Sequence, residues 1–245
     1  MRNMAKLRVM PEIAGFSATK LQNFSAKRVP LPPMTLIDKY FPGLTETQRA
    51  RFAVMLRLYP EWNERINVIS RKDIENLEER HILHSLSIAK FLTPIPGTTF
   101  LDMGTGGGFP GIPLAALWPD CRFHLIDRIG KKLRVAQAVA EEAGLTNVTF
   151  QHGDLGECHE RFDFIVSRAV MSLDKLVPLV RRNIAPADRN GFPNGLICLK
   201  GGDLGSEASS VKAPVIVVPL SDYFTETFFD TKALVYVDLS NNRKK

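Results

Sequence analysis

Cysteine is scarce in this chain: Cys121, Cys158 and Cys198 stand far apart among 245 residues, with no CxxC pair. So sparse a set excludes a disulfide framework and a cysteine-based zinc site, and it fits a reducing cytoplasm. No apolar run reaches the roughly 18 residues of a membrane span, so no membrane partner is expected. Repeats and low-complexity tracts are absent. His81 and His84 lie three apart with nothing beside them to complete a ligand set, and no metal is expected. Charge of one sign is also missing from most of the chain. The net charge of +6 sits almost wholly in residues 1–33, which hold six Lys/Arg and one acid, while the other 212 residues carry 26 basic and 25 acidic side chains. Bulk charge therefore says little about a nucleic-acid partner, and local patches must carry that argument.

The basic leader has no apolar core of the kind a secretory signal needs. It is expected to be a disordered arm, or to arise from an upstream start with Met34 as the natural beginning. "VPLPPM" (29–34) ends it. Residues 34–92 read as a helical N-terminal cap: Thr45 and Gln48 form a capping-box pattern, and Phe52, Met55, Leu56 and Leu58 recur at near-helical spacing. "SRKDIENLEERHILHSLSIAKFL" reads as two short helices. After "TPIPG" the rhythm changes. "TTFLDM", "RFHLID", "NVTFQH", "FDFIVSRA" and "GLICLK" read as strands, with "IPLAALW", "KKLRVAQAVAEEAG" and "LDKLVPLVRRNI" as helices between them. This alternation predicts an α/β doubly wound sheet over 93–245. "APVIVVPL" and "KALVYVDL" have no comparable helix between them and predict a closing antiparallel pair.

"LDMGTGGGFPGIP" (101–113) is the densest signal, with four glycines among residues 104–108. A strand running into such a turn and then a helix is a nucleotide site on physical grounds, because glycine permits φ > 0 and close backbone approach. No Gly-Lys-Ser/Thr follows, so a Walker loop is excluded. Two readings fit. Gly106-x-Gly108-x-x-Gly111 spells the dinucleotide fingerprint. Asp102-x-Gly104-x-Gly106-x-Gly108 spells the DxGxGxG of class I S-adenosylmethionine-dependent methyltransferases, whose fold is Rossmann-like. Asp127, ending the second strand, suits a ribose under either reading. A carboxylate before the glycines favours a ligand with an ammonium group over a pyrophosphate. Asp154, in "HGD" after the third strand, stands where an adenine amine can donate to it. With the closing antiparallel strands, these acids favour the methyltransferase reading. An NAD-linked oxidoreductase and a non-catalytic nucleotide-binding protein remain the alternatives.

"HILHSL", "FLDMGTGGGFPGIPLA", "LIDRIGKKLR", "FDFIVSRA" and "LICLKGG" resemble the bacterial small-subunit rRNA guanine-N7 methyltransferases, the glucose-inhibited division protein B family. The likeness runs from about Met34 to near Leu239. It implies methyl transfer from S-adenosyl-L-methionine to N7 of a guanine in the 530 loop (expected position 527) of 16S rRNA, by a cytoplasmic enzyme whose partner is the rRNA or the small ribosomal subunit. A monomer is expected. Position by position, it implies cofactor contacts at Gly104, Phe109, Asp154, Leu155 and Arg168, beside Asp102, Gly106, Gly108 and Asp127 of the motif itself. The family usually has an acid at Leu155, so backbone and apolar contact is expected there. At His84 the family's "RHxLDS" carries Asp, so no acid acts at this place. Guanine N7 carries no proton at neutral pH, and no general base is expected. Arg168 is expected to position a group by bonding guanine O6, a phosphate or the cofactor carboxylate. Candidates for RNA contact are His81, Lys131, Lys132 and Lys200, within a basic cluster that also holds Arg128 and Arg134.

Overall fold

The computed structural model describes residues 35–168, 171–202 and 204–240. The leader over 1–33 and the basic tail 243–245 lie outside them. Helix α1 (Leu36–Tyr40) and helix α2 (Glu46–Asn63) each begin with a Thr capping box, Thr35 with Asp38 and Thr45 with Gln48. Such a box satisfies two backbone donors that a helix start otherwise leaves unpaired. Phe52, Met55, Leu58 and Tyr59 form the buried stripe of α2, and Leu56 is half-buried. The two helices expected over 70–92 are instead one irregular run. It comprises a 3₁₀ turn (Ile74–Asn76), a π-helical turn (Glu78–Leu83), α3 (His84–Leu86) and α4 (Ile88–Phe91).

Seven strands follow: β1 (Thr99–Met103), β2 (Arg122–Asp127), β3 (Val148–His152), β4 (Phe164–Arg168), β5 (Gly195–Gly201), β6 (Val215–Pro219) and β7 (Lys232–Asp238). Helices α5 (Gly111–Leu117), α6 (Gly130–Glu142), α7 (Leu173–Val180) and α8 (Gly205–Ser209) lie between them. The sheet order is β3-β2-β1-β4-β5-β7-β6. The first five strands are parallel, while β7 runs antiparallel between β5 and β6. Helix α6 closes at Gly144, whose φ of 62° lets Leu145 N–H turn back to Ala140 O.

Side chains alternate across the sheet, as strand geometry requires. Phe100, Phe123 and Phe164 share one core with Phe52, Met55, Ile82 and Leu86, so the expected cap and the sheet are covered by the same apolar cluster. Leu101, Met103, Ile126 and Ile165 face the other way, toward Leu173, Leu176 and Val177 of α7. Strand order reverses between β1 and β4. In open α/β sheets ligands bind at that reversal, beyond the carboxyl ends of the strands.

Candidate active site

The ends of β1, β2 and β3 open onto a cleft of about 430 Å³, within the range of small-molecule sites. Met103, Gly104, Ile126, Asp127, Arg128, Ile129, Gly153, Asp154, Leu155, Met171 and Leu179 line it. Asp127 is the fixed point. Its Oδ2 accepts the Gly106 N–H at 2.7 Å and its Oδ1 the Ile129 N–H at 2.7 Å. An ionised carboxylate has about four acceptor sites, so lone pairs are left for two ribose hydroxyls. The apolar side chains of Ile126, Leu155, Met171 and Leu179 supply walls for a flat base. The lining thus fits a nucleoside such as that of S-adenosylmethionine.

Of the expected cofactor residues, Gly104, Asp127, Asp154 and Leu155 meet in this cleft. Asp154 caps the 3₁₀ turn Leu155–Glu157 through Gly156 N–H. It also faces Arg128 at 3.4 Å, an exposed pair that adds little stability. Asp102 differs from expectation. It is fully buried beneath the turn, where its Oδ2 accepts Thr105 Oγ1–H at 2.6 Å and Gly111 N–H at 2.7 Å. It therefore anchors the turn from below through Oδ2, and its Oδ1 has no hydrogen-bond partner among the described residues. Burial pushes its carboxyl up to about 7, against the pull of Thr105, Gly111 and Arg168. The start of α5 is likewise satisfied internally, by Asp102 at Gly111 N and by Gly108 O at Ile112 N. Gly106, Gly108 and Phe109 lie in the turn beside the cleft, where Gly106 N–H is held by Asp127.

The turn is supported from α2, which sequence reasoning missed. Tyr59, fully buried, donates to Gly107 O at 2.8 Å and lies 4.6 Å from the Phe109 ring. A Cβ on Gly107 would fall 2.8 Å from Val68 Cβ. On an apolar helix stripe a tyrosine gives no sign that it buttresses a turn 48 residues away.

Arg168 ends β4 two residues after Val166, on the same side of the sheet as Phe164. It therefore turns away from the nucleoside cleft toward the N-terminal helices. Its guanidinium lies 5.0 Å from the Phe109 ring centroid. It donates to Arg80 O at 3.4 Å and to His81 Nδ1 at 3.0 Å. Among the described residues it has no carboxylate within ion-pair distance. Burial lowers its pKa to about 10, with Asp102 and Tyr59 opposing. His81 is half-buried in the π-helical turn, edge-on to Phe109 at 5.4 Å, and is not laid open as a stacking platform.

Lys200 departs from its expected role in RNA contact. Its Nζ is paired with Glu207 Oε1 of α8 at 2.6 Å and donates to Met171 O at 2.7 Å, with the side chain only 10% exposed. Its charge is already matched, so it ties β5 to α8. Lys131 is exposed and Lys132 half-exposed, both on the first turn of α6. Among the described residues no His/Cys/Asp/Glu group could hold a metal ion, and no helix is long and apolar enough to cross a membrane.

Comparison with known proteins agrees with this geometry. Ribosomal RNA small subunit methyltransferase G of Bacteroides thetaiotaomicron is 57% identical over 203 residues, 83% of this chain and 98% of that protein. Its namesake in Porphyromonas gingivalis is 51% identical over 89% of this chain and 100% of its own. In fold, the chain is similar to a SAM-dependent methyltransferase from Aquifex aeolicus, with a TM-score of 0.50 at 18% identity over 69% of this chain and 98% of the other. It is also similar to a variant of MtNAS solved with S-adenosylmethionine, with a TM-score of 0.51 at 13% identity over 78% and 77%. Residues 48–227 match the GidB model, described as rRNA small subunit methyltransferase G. With that match spanning most of the chain, and the motif, sheet order and cleft in agreement, the protein belongs to the rRNA small subunit methyltransferase G family.

Proposed function

We propose that this chain transfers a methyl group from S-adenosylmethionine to N7 of a guanine in the 530 loop of 16S rRNA, acting as a cytoplasmic monomer on the rRNA or the small subunit. One observation carries the reading: the Asp127 carboxylate, tied to the glycine turn, faces an apolar cleft in a chain of this family. The cofactor supplies an electrophilic methyl on a sulfonium. Asp127 receives the ribose hydroxyls, Asp154 and Leu155 flank the adenine, and Gly104 lets the backbone pass close. N7 presents a lone pair and no proton, so the protein's task is alignment and exclusion of water, which can supply several kcal/mol. No general base is required, and none is offered at Arg168, where the His81 Nδ1 lone pair is already engaged. Arg168, which faces away from the nucleoside cleft, positions the cofactor carboxylate, a phosphate or guanine O6.

The test is methyl transfer from labelled cofactor to small subunits from cells lacking this modification, with the product mapped by cleavage at N7-methylguanine. One strong cleavage in the 530 loop is expected. Cofactor binding without transfer would mean a non-catalytic binding protein. A thermal shift with NAD and none with S-adenosylmethionine would favour the oxidoreductase reading.

RNA is expected to track along the start of α6, where Arg128, Lys131, Lys132 and Arg134 follow Asp127 at the cleft edge. Each phosphate contact removed lowers the slope of log K against log salt by about 0.7–0.9. A Lys131/Lys132→Ala variant should therefore flatten the slope for rRNA by roughly 1.5. An unchanged slope would remove this turn from the footprint.

A further inference from the structure

Arg168 is a half-buried cation whose described partners are all uncharged. They are the Phe109 ring, the carbonyl of Arg80 and the imidazole of His81. Drawing a charge even partly out of water is costly without a counter-charge, so the place favours an anionic group to complete it. Guanidinium groups only donate. The 3.0 Å contact therefore makes His81 Nδ1 the acceptor and puts the ring proton on Nε2. A second proton on His81 would set two cations side by side. The groups facing His81 agree with a neutral ring: Arg168 from β4 and Arg80 from its own turn are cations, and Asp73 is already paired with Arg80 at 2.7 Å. His84, one turn on, is buried with its Nε2 unpartnered. Burial, then Arg168, lowers the His81 pKa to about 3. The backbone holds the ring in place as well, because Ser85 Oγ donates to His81 O at 2.6 Å within the irregular run.

We infer that His81 is a positioning residue for Arg168: its neutral imidazole holds the guanidinium by Nδ1 and leaves the positive charge unspent for an anionic group of the cofactor or the RNA. A carboxylate at this place would orient the arginine equally well, yet it would neutralise the charge before any ligand arrived. This inference rests on the reading of Arg168 given under Proposed function, and its test separates the two.

The full chain is compared with Arg168→Gln, His81→Leu, His81→Asn, His81→Glu and the His81→Leu/Arg168→Gln pair. Dissociation constants are measured for S-adenosylmethionine and for unmethylated small subunits, with thermal melting to confirm folding. Losing a charge-assisted hydrogen bond should make Arg168→Gln weaken one of the two constants by about tenfold or more. His81→Leu should weaken the same constant by roughly fivefold, and should add less than about twofold once Arg168 is gone, as expected for coupled residues. His81→Asn, a neutral acceptor of similar reach, should recover most of the loss. His81→Glu should not, although it too accepts the hydrogen bond. Nitrogen NMR of the wild-type protein should show the Nε2–H form of His81 persisting to about pH 5, well below the usual histidine value. If Arg168→Gln weakens binding and His81→Leu does not, or if His81→Glu binds as well as the wild type, the positioning role is wrong and the reading of Arg168 stands. If Arg168→Gln changes neither constant, the reading of Arg168 falls and this inference with it.

Discussion

Asp127→Ala should lower the affinity for S-adenosylmethionine by at least about a hundredfold, because hydrogen bonds to a charged acceptor are worth about 1.5–3 kcal/mol each and two ribose hydroxyls lose theirs. The loss has a second source. The same carboxylate gathers Gly106 N–H and Ile129 N–H, so its removal loosens the glycine turn and the start of α6 together. Calorimetric titration measures the affinity, and a melting curve measures the turn. Asp127→Asn should fall nearly as far, since an amide nitrogen must then face one of the two backbone donors. Binding within twofold of the wild type would show that the nucleoside lies elsewhere.

Gly108→Ala should be the most damaging of the single-methyl changes in the turn. Its φ is 103°, and an added Cβ would lie 2.5 Å from Ile112 Cγ1 and 3.1 Å from both Ala136 Cβ and Tyr59 Oη. Backbone strain of about 1–2 kcal/mol and overpacking of about 1–3 kcal/mol act together. Unfolding in denaturant should therefore show a loss of about 2–5 kcal/mol. Gly106 is the control. Its φ is 58°, yet an added Cβ meets nothing within 4 Å, so Gly106→Ala should cost only the backbone strain of about 1–2 kcal/mol. Equal losses at the two positions would mean that contact with α5 and α6 does not set the shape of the turn.

Lys200 and Arg168 show how far side-chain roles can be read in advance. Both end strands on the side where ligands bind, and both are basic, so they look alike in sequence. In the fold Lys200 meets Glu207 of α8, and its charge is matched. Among the described residues Arg168 meets only neutral acceptors, and its charge stays open. Asp102 and Asp127 diverge in the same way. One points below the turn to Thr105 and Gly111, and the other points along it to the cleft. Spacing placed both at strand ends and could not say which faced the ligand.

Legible in the sequence, unlike the irregular run over 70–92, were the alternation of strands and helices after residue 93, the class of sheet, the glycine turn and the acid that ends β2. These follow from local rules: burial imposes a period of two on strands and near 3.6 on helices, and only glycine enters a turn with φ > 0 cheaply. Tertiary structure alone decided that β7 slots between β5 and β6, that Tyr59 props the turn, and that His81 meets Arg168 across 87 residues of chain. Such partners depend on which elements lie side by side. That is settled by apolar burial summed over the whole core, to which no short stretch of sequence contributes more than a small part.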